Sequence, residues 1–478
     1  VPTLPSKLDL PETDVIVVGS GPNGLAAAIR LAQAGRSVLV LEGAETPGGG
    51  VRSAELTLPG FVHDVCSSVY PLTVSSPFFR NLPLQEHGVR WIFPPAALAH
   101  PFDDGSAAVL YTSVDETAET LSADGRNYQR LLQNFLPRWK ELLEDALAPI
   151  RFPGHPFLFA KFGMQAIRSA EGFAHSHFRT EHARTFFAGL AAHSVLPLNY
   201  LSTAGAGLML AILGHAVGWP MVSGGAQQLT NALLSILQSH GGQIVTGCWV
   251  ESLNQLPPAR SILLDVTPRQ LLRIAGTRLP ASYRRKLERY RYGMGVFKMD
   301  WALHQPIPWR AVNCRQAGTI HLGGSFDEIS ESERKSWNGQ AVERPYVLLS
   351  QPSIFDSTRA PKGKHTAWAY CHVPNGYTGD RTKAIENQIE LFAPGFRDCI
   401  AARSVLSPAD LEKRNPNLVG GDIGGGAAML TQLFLRPTAS LYKTPIKGIY
   451  LCSASTPPVP GVHGMCGYFA AETALANQ

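Results

Sequence analysis

Three glycines near the start of the chain carry its clearest chemistry. Gly19-Ser20-Gly21-Pro22-Asn23-Gly24 follows a β-branched run, Asp14-Val-Ile-Val-Val18, and leads into an Ala-rich stretch from Leu25 to Ala34 with apolar residues at helical spacing. Gly19 permits a tight turn, Gly21 lets the backbone approach a pyrophosphate, and Gly24 lets the helix pack close to the strand. The helix start offers free N–H groups and the positive end of a dipole to phosphates. A second run, Ser37-Val-Leu-Val-Leu41, is closed by Glu42, an acid placed to take both ribose hydroxyls. Strand, glycine turn, helix, strand and acid together predict a dinucleotide site that disfavours a 2′-phosphate.

Two further features favour FAD over NAD. Gly43 follows the acid, and Pro47-Gly48-Gly49-Gly50-Val-Arg52-Ser53 then puts one cation beside a glycine cluster. That suits a backbone passing close to a pyrophosphate. At the far end, Lys447-Gly-Ile-Tyr-Leu-Cys452 reads as a strand, and Pro460-Gly461-Val462-His463-Gly464-Met465-Cys-Gly-Tyr468 leads into a helix from Phe469 to Ala476. A helix start there suits the negative charge that reduced flavin gathers near N1 and C2=O. His463 in this turn is a candidate for catalysis, and its plainer reading is a loop histidine bonded to backbone. Gly420-Gly-Asp-Ile-Gly-Gly-Gly426 looks like a phosphate loop, but polar turn sequence leads into it and no strand does. A turn near a substrate cavity is expected there. With no second fingerprint, oxygen, a quinone or another acceptor is expected to reoxidise the flavin, rather than NAD(P)H.

Composition sets the frame for these motifs. The chain has 478 residues, 45% hydrophobic and only 17% charged, with 45 Gly and 36 Pro. Length alone suggests roughly two to four units. The low charge predicts a large dry interior and excludes bulk disorder. A net charge of +5 is mild, and no nucleic-acid partner is expected. The 7 cysteines contain no C-x-x-C, which argues against a disulfide scaffold, a zinc ribbon, any other metal site or a dithiol centre, and for a reducing compartment. The chain begins at Val1, as a processed or trimmed one would, and VPTLPSKLDLPETD lacks the apolar core of a secretory leader.

Two stretches stand apart in charge. From Thr185 to Val250 there is no Asp, Glu, Lys or Arg. Within it, Leu201 to Trp219 is long enough for a membrane span, yet four glycines and His215 favour a buried helix or the wall of an apolar cavity. His215 is a second candidate for catalysis, with a satisfied core histidine as the plainer reading. From Arg269 to Arg291 the chain is strongly basic, with Glu288 the one acid and Tyr283, Tyr290 and Tyr292 interleaved. A solvated helix face is the plain expectation, and docking to anionic lipid headgroups the sharper one.

These residues together resemble the phytoene desaturase-like flavoproteins, which include carotenoid desaturases and isomerases and retinol saturase. The resemblance runs through Pro59-Gly-Phe-Val-His-Asp64, Gly214-His-Ala-Val-Gly218, Gly224-Gly-Ala-Gln-Gln-Leu229, Arg359-Ala-Pro-Lys-Gly-Lys364, Asn415-Pro-Asn-Leu-Val-Gly-Gly421 and Val462-His-Gly-Met-Cys-Gly467. The last three mark the branch called pyridine nucleotide-disulfide oxidoreductase domain-containing protein 2. No C-x-x-C supports the disulfide chemistry of that name.

The resemblance implies an α/β fold with a discontinuous Rossmann-like FAD domain (residues 1–75, 220–270 and 440–478) and a mixed α+β substrate domain (76–219 and 271–439). It implies non-covalent FAD. The matching positions are Gly19, Gly21, Gly24, Glu42, Gly48, Gly49, Arg52 and Ser53, then Val250 toward adenine, and Cys452, Ser453 and Gly461 to Met465 at the isoalloxazine end. Lys298, in Gly295-Val-Phe-Lys-Met-Asp300, corresponds to an amine oxidase lysine that holds a water at flavin N5, with spacing one residue short. Relatives carry glycines just before Gly461, whereas this chain has Val459-Pro460, a stiffer loop. The activity implied is hydride transfer between flavin and a C–C bond of an apolar substrate. Amine or amino-acid oxidation and a flavin-stabilised interaction protein are the rivals. A cytoplasmic or peripheral-membrane location is implied, or the mitochondrial matrix in a eukaryote.

Overall fold

The computed structural model describes residues 12–433 and 435–477; most of the N-terminal stretch read above for a leader (1–11) lies outside them. The first motif folds as β1 (Val15–Val18), α1 (Pro22–Gln33) and β2 (Val38–Leu41). Pro22 opens α1, where a missing N–H costs nothing. β1 and β2 pair in parallel with Val15 opposite Val38, and three more parallel strands complete a sheet in the order Ile449–Leu451, Ser261–Leu264, β1, β2, Gln243–Val245. Its strands come from three separate stretches of chain.

Both faces of this sheet are covered, which is why its strands read as unbroken apolar runs rather than alternating ones. Val15, Val17, Val38 and Val40 face α1 and the helices Ala226–Ser239 and Met465–Leu475. Ile16, Val18, Leu39 and Leu41 face Leu271, Ile274, Tyr283 and Leu287. Those four belong to the helices Pro268–Ala275 and Ala281–Glu288, into which the basic stretch folds.

Two expected elements differ at their ends. The strand read from Gln243 to Val250 stops at Val245. Gly247 turns the chain at φ +67, and Cys248 N–H then bonds Glu42 O at 2.8 Å, bringing Val250 to the nucleotide motif as a loop residue. The C-terminal helix begins at Met465, not Phe469, because Gly464 at φ +71 ends the preceding loop.

A second sheet of seven strands runs Ile400–Leu406, Gly295–Leu303, His365–Val373, Val347–Ser350, Ala317–Leu322, Ala96–Pro101, Ala107–Tyr111. It is antiparallel except between Ala317–Leu322 and Ala96–Pro101. One face packs Val347, Leu349, Ala367, Ala369 and Cys371 onto Ile385, Ile389 and Phe392. The other carries Leu348 and Trp368 toward a layer of helices that includes Glu181–Ala191 and Thr203–Val217. The uncharged stretch is therefore mostly core. Its central helix, Thr203–Val217, ends at Gly218 (φ +69), and among the described residues no helix is long and apolar enough to cross a membrane. The architecture is α/β, a Rossmann-like sheet joined to a mixed second sheet.

Candidate functional site

A cavity of about 620 Å³ lies between the two sheets, within the range of small-molecule and cofactor sites. From the Rossmann-like side it is lined by Gly19, Gly21, Pro22, Asn23, Glu42, Gly43, Gly49, Gly50 and Arg52, then by Trp249, Val250, Asp265 and Arg273. Ser453, Gly461 and Val462 close it near the C-terminal helix. The second sheet supplies Thr319, Leu348, Trp368 and Tyr370, and the helical layer adds His193, Leu210 and Trp219.

Close backbone approach shapes the nucleotide end. A Cβ on Gly24 would sit 2.1 Å from Gly19 O, and one on Gly49 would sit 2.9 Å from Gly21 Cα. The loop at 48–50 thus lies directly on the glycine turn, leaving a groove floored by main chain. Glu42 is held in place by its neighbours. Oε2 accepts from Ser20 N–H at 2.8 Å and from the Ser20 hydroxyl, and Oε1 accepts from Ala44 N–H at 2.9 Å. Ser20 Oγ in turn accepts from Gly48 N–H at 3.0 Å. Arg52 Nε donates to Gly49 O at 2.8 Å, which fixes the guanidinium beside the same loop, and burial lowers its pKa. The cavity's cations, Arg52, Arg273 and Arg414, all lie on this side. A bare-glycine groove with a ribose acid and nearby cations fits the adenosine and pyrophosphate of FAD.

The sequence-named positions divide accordingly. Gly19, Gly21, Pro22, Asn23, Glu42, Gly43, Gly49, Gly50, Arg52, Val250, Ser453, Gly461 and Val462 line the cavity. Ser20, Gly24, Gly48, Ser53, Cys452, His463, Gly464 and Met465 are not among its lining residues, and each has a structural task or core position. Ser53 is an example: its hydroxyl donates to Asp64 Oδ1 at 2.8 Å and accepts from Gln227 N–H at 3.1 Å. Cys452 and Met465 are part of the core beneath the Rossmann-like sheet, and all seven cysteines are free thiols.

The three side chains expected to take part in catalysis are not presented to the cavity. His463 Nε2 donates to Val459 O at 2.8 Å, and Nδ1 accepts from Met465 N–H at 3.0 Å. Both nitrogens are used in tying the Val459-Pro460 loop to the helix start, and burial lowers the pKa to about 4. His215 bonds the Tyr128 hydroxyl at 2.8 Å and Thr112 O at 3.1 Å, a satisfied core histidine. Lys298 holds both Asp300 oxygens at 2.6 Å and lies 5.6 Å from the Trp368 ring, and it is Trp368, not Lys298, that lines the wall. Burial raises the Asp300 pKa, which Lys298 partly opposes.

Several lining residues were not anticipated. Asp265 sits one residue past the strand Ser261–Leu264 and accepts from Gly24 N–H at 3.0 Å. Its signal was available, since an acid ending an apolar strand run belongs at the carboxyl edge of a parallel sheet, where ligands bind. Trp368 and Tyr370 alternate along His365–Val373, so a period-2 reading places them on one face. Their rings stack at 11° with centroids 6.0 Å apart. His193 carried no sequence signal. Asn417, in one of the family stretches, accepts from Thr267 N–H at 3.0 Å and donates to Asp265 O at 2.9 Å, so that stretch braces the nucleotide end. Gly425 of the phosphate-loop decoy lines the cavity within a turn.

Fold and site together define an FAD-dependent oxidoreductase. A model described as NAD(P)-binding Rossmann-like domain matches residues 17–82. The chain is a homologue of pyridine nucleotide-disulfide oxidoreductase domain-containing protein 2 from Rattus norvegicus, 25% identical over 97% of this chain and 93% of that one. It is likewise a homologue of a neurosporene-forming phytoene desaturase from Rhodobacter capsulatus, 24% identical over 95% and 91%. Among solved structures, an oxidoreductase from Methanosarcina mazei shares the fold with a TM-score of 0.66 at 14% identity, covering 97% and 99% of the two chains. Putrescine oxidase bound to putrescine matches with a TM-score of 0.62 at 18% identity, covering 97% and 99%.

Proposed function

We propose that the protein transfers hydride between FAD and a C–C bond of an apolar substrate, as a desaturase or a saturase. The carrying observation is the polarity of the cavity wall. Leu72, Leu210, Trp219, Leu348, Trp368 and Tyr370 line it without an Asp, Glu, Lys or Arg among the residues from the second sheet and the helical layer. Bound FAD would supply the two-electron carrier. The chain's own groups bind, orient and exclude water: Glu42 and Arg52 hold the cofactor, and the aromatic wall sets the substrate flat and dry. With His463, His215 and Lys298 engaged elsewhere, and with burial lowering the pKa of His193 on the wall to about 3, no strong base among the described residues faces the wall, which suits an unactivated C–H bond better than an amine. Oxygen, a quinone or another acceptor completes the cycle. We take the three-stretch FAD domain and two-stretch substrate domain as the working division of the chain.

The stacked Trp368–Tyr370 pair supports the rival reading, since amine oxidation uses an aromatic wall. Anaerobic mixing of FAD-loaded protein with apolar polyenes and, separately, with primary amines distinguishes the two. Flavin bleaching by a polyene and not by amines is expected. Rapid bleaching by an amine alone would overturn the proposal.

We also assign a membrane-facing surface, at a different place from the basic stretch. In that stretch the apolar side chains point inward, Arg269 pairs with Glu412, and Arg273 lines the cavity. The helix Pro156–Ala166 does the opposite. Leu158 and Phe162 are buried, but Phe157 is 91% and Met164 67% exposed, with Phe152 at 85% just before the helix. Ile167 continues the outward stripe, and Leu201 is brought beside it by Ser202 N–H bonding Ile167 O at 2.9 Å. A polar groove of about 490 Å³ with Arg130, Lys161 and Arg179 adjoins this helix. Outward aromatics beside cations are the pattern of an interfacial helix on anionic lipid. Co-sedimentation with acidic vesicles is expected to fade with salt, and Phe157→Glu should weaken it roughly tenfold. Unchanged sedimentation of Phe157→Glu would remove this surface.

A further inference from the structure

The cavity wall holds one imidazole, and a second imidazole lies behind it. His193 lines the cavity, and its Nε2 lies 3.0 Å from Nε2 of His321, which is fully buried on the strand Ala317–Leu322. Such a contact needs a proton on one nitrogen and a lone pair on the other. The surroundings decide which. His321 Nδ1 is buried with no partner among the described residues, pressed against the helix Glu181–Ala191 so closely that a Cβ on Gly189 would come within 2.7 Å of it. An orphaned N–H at that position is costlier than an orphaned lone pair. His321 therefore keeps its proton on Nε2 and donates to His193. His193, accepting at Nε2, carries its own proton on Nδ1, which has no partner among the described residues. Burial lowers the pKa of both rings, to about 3 for His193, so neither competes as a cation.

Two more polar groups belong to the same wall. Thr319 stands two residues before His321 on its strand, and Ser350 pairs with both Thr319 and Trp368 across the sheet. Thr319 Oγ1 and Trp368 Nε1 are buried without a partner among the described residues, although both residues line the cavity. Buried polar atoms in native proteins are almost always paired, so these two, beside Nδ1 of the half-buried His193 on the same apolar wall, call for a ligand atom. Two of the three are fixed N–H donors, and the hydroxyl can also donate. The complement of that set is an acceptor. Among the described residues no Lys or Arg lines this wall to balance a carboxylate.

We infer that His193, backed by His321, and with Thr319 and Trp368, forms a recognition subsite for an uncharged carbonyl oxygen on an otherwise apolar substrate. This rests on the proposed apolar-substrate reading and narrows it, from hydrocarbons in general to ketones or aldehydes with an extended apolar body. His193 is a specificity-determining residue here, since a neutral donor orients a carbonyl without ionising it.

The test compares two probes of the same shape, acetophenone and ethylbenzene, binding to FAD-loaded protein. Taking the ratio of their affinities cancels the part due to apolar contact. His193→Leu is expected to lower the acetophenone-to-ethylbenzene ratio about fivefold, the effect of one hydrogen bond. Thr319→Val is expected to lower it in the same direction, and it serves if His193→Leu fails to retain FAD. A ratio unchanged in variants that keep their FAD overturns the subsite and leaves the apolar cavity standing. Failure of both probes to bind the wild-type protein overturns the apolar-cavity reading as well.

Discussion

Arg359→Met is expected to destabilise the protein by about 3–5 kcal/mol, the cost of leaving buried carboxylates without their cation. Arg359 is fully buried. Its Nη2 and Nη1 grip Asp64 Oδ2 and Oδ1 at 2.8 and 3.1 Å, and its Nε donates to Asp356 Oδ2 at 3.1 Å. Asp64 Oδ1 also accepts from Ala226 N–H at 2.8 Å, and Asp356 Oδ2 from Gly224 N–H at 2.8 Å. Burial alone would raise the Asp64 pKa, but Arg359, with the Ala226 N–H and the Ser68 hydroxyl, reverses this and holds it below its ordinary value. The wild-type contribution is therefore present above the unfolded carboxylate pKa and is lost as pH falls through the native one. In Arg359→Met the Asp64 pKa is expected to rise, because burial is then opposed only by the Ala226 N–H and the Ser53 and Ser68 hydroxyls. Denaturation curves of the variant should show a smaller loss of stability on acidification than wild type. Parallel pH profiles for the two proteins would exclude the cluster as a main support.

That cluster shows what could and could not be read from the chain. Asp64, Gly224 and Arg359 each stand in a stretch that resembles the flavoprotein family, so their importance was legible. Their meeting was not, since Asp64 and Arg359 are far apart in sequence and no local pattern states that one neutralises the other. The nucleotide turn was legible because strand, turn, helix and acid are contiguous, and the physics of each glycine is local. The surroundings of the histidines were not legible, for the converse reason. His463 lies within a motif at the cavity mouth, yet its bonds to Val459 and Met465 make it part of the loop's scaffold. His193 looks like an ordinary residue in an uncharged run and becomes interesting only when the second sheet brings His321 against it. Ring-nitrogen partners are set by tertiary packing, which a linear pattern does not encode.

Asp265→Asn is expected to stabilise the apoprotein at mildly alkaline pH and to flatten its pH dependence. Asp265 is buried at the start of α1, where Oδ2 accepts from Gly24 N–H at 3.0 Å. Burial raises its pKa from 3.8 to about 7; the Gly24 and Gly21 N–H groups oppose the rise, and the Glu42 charge adds to it. The native state therefore holds a proton that the unfolded chain has already lost between those two values. Stability falls as pH rises across that window and levels off above the native pKa. The full penalty is on the order of 4 kcal/mol by linkage, an upper bound for a group whose surroundings can relax. Asparagine has nearly the same shape and can still accept from Gly24, but it never ionises. Thermal unfolding of both proteins from about pH 3.5 to about pH 8 should show curves that converge at the acid end and separate at the alkaline end, with the variant above. Retention of FAD should follow the same course, since a carboxylate at the helix start repels the anionic pyrophosphate that the dipole attracts. Wild type is expected to lose FAD more readily on dialysis as pH rises past about 7, and Asp265→Asn to lose it at one rate throughout. Were the variant less stable at every pH, with an unchanged slope, Asp265 would be an ionised cap of α1 rather than a protonated group tuned by burial.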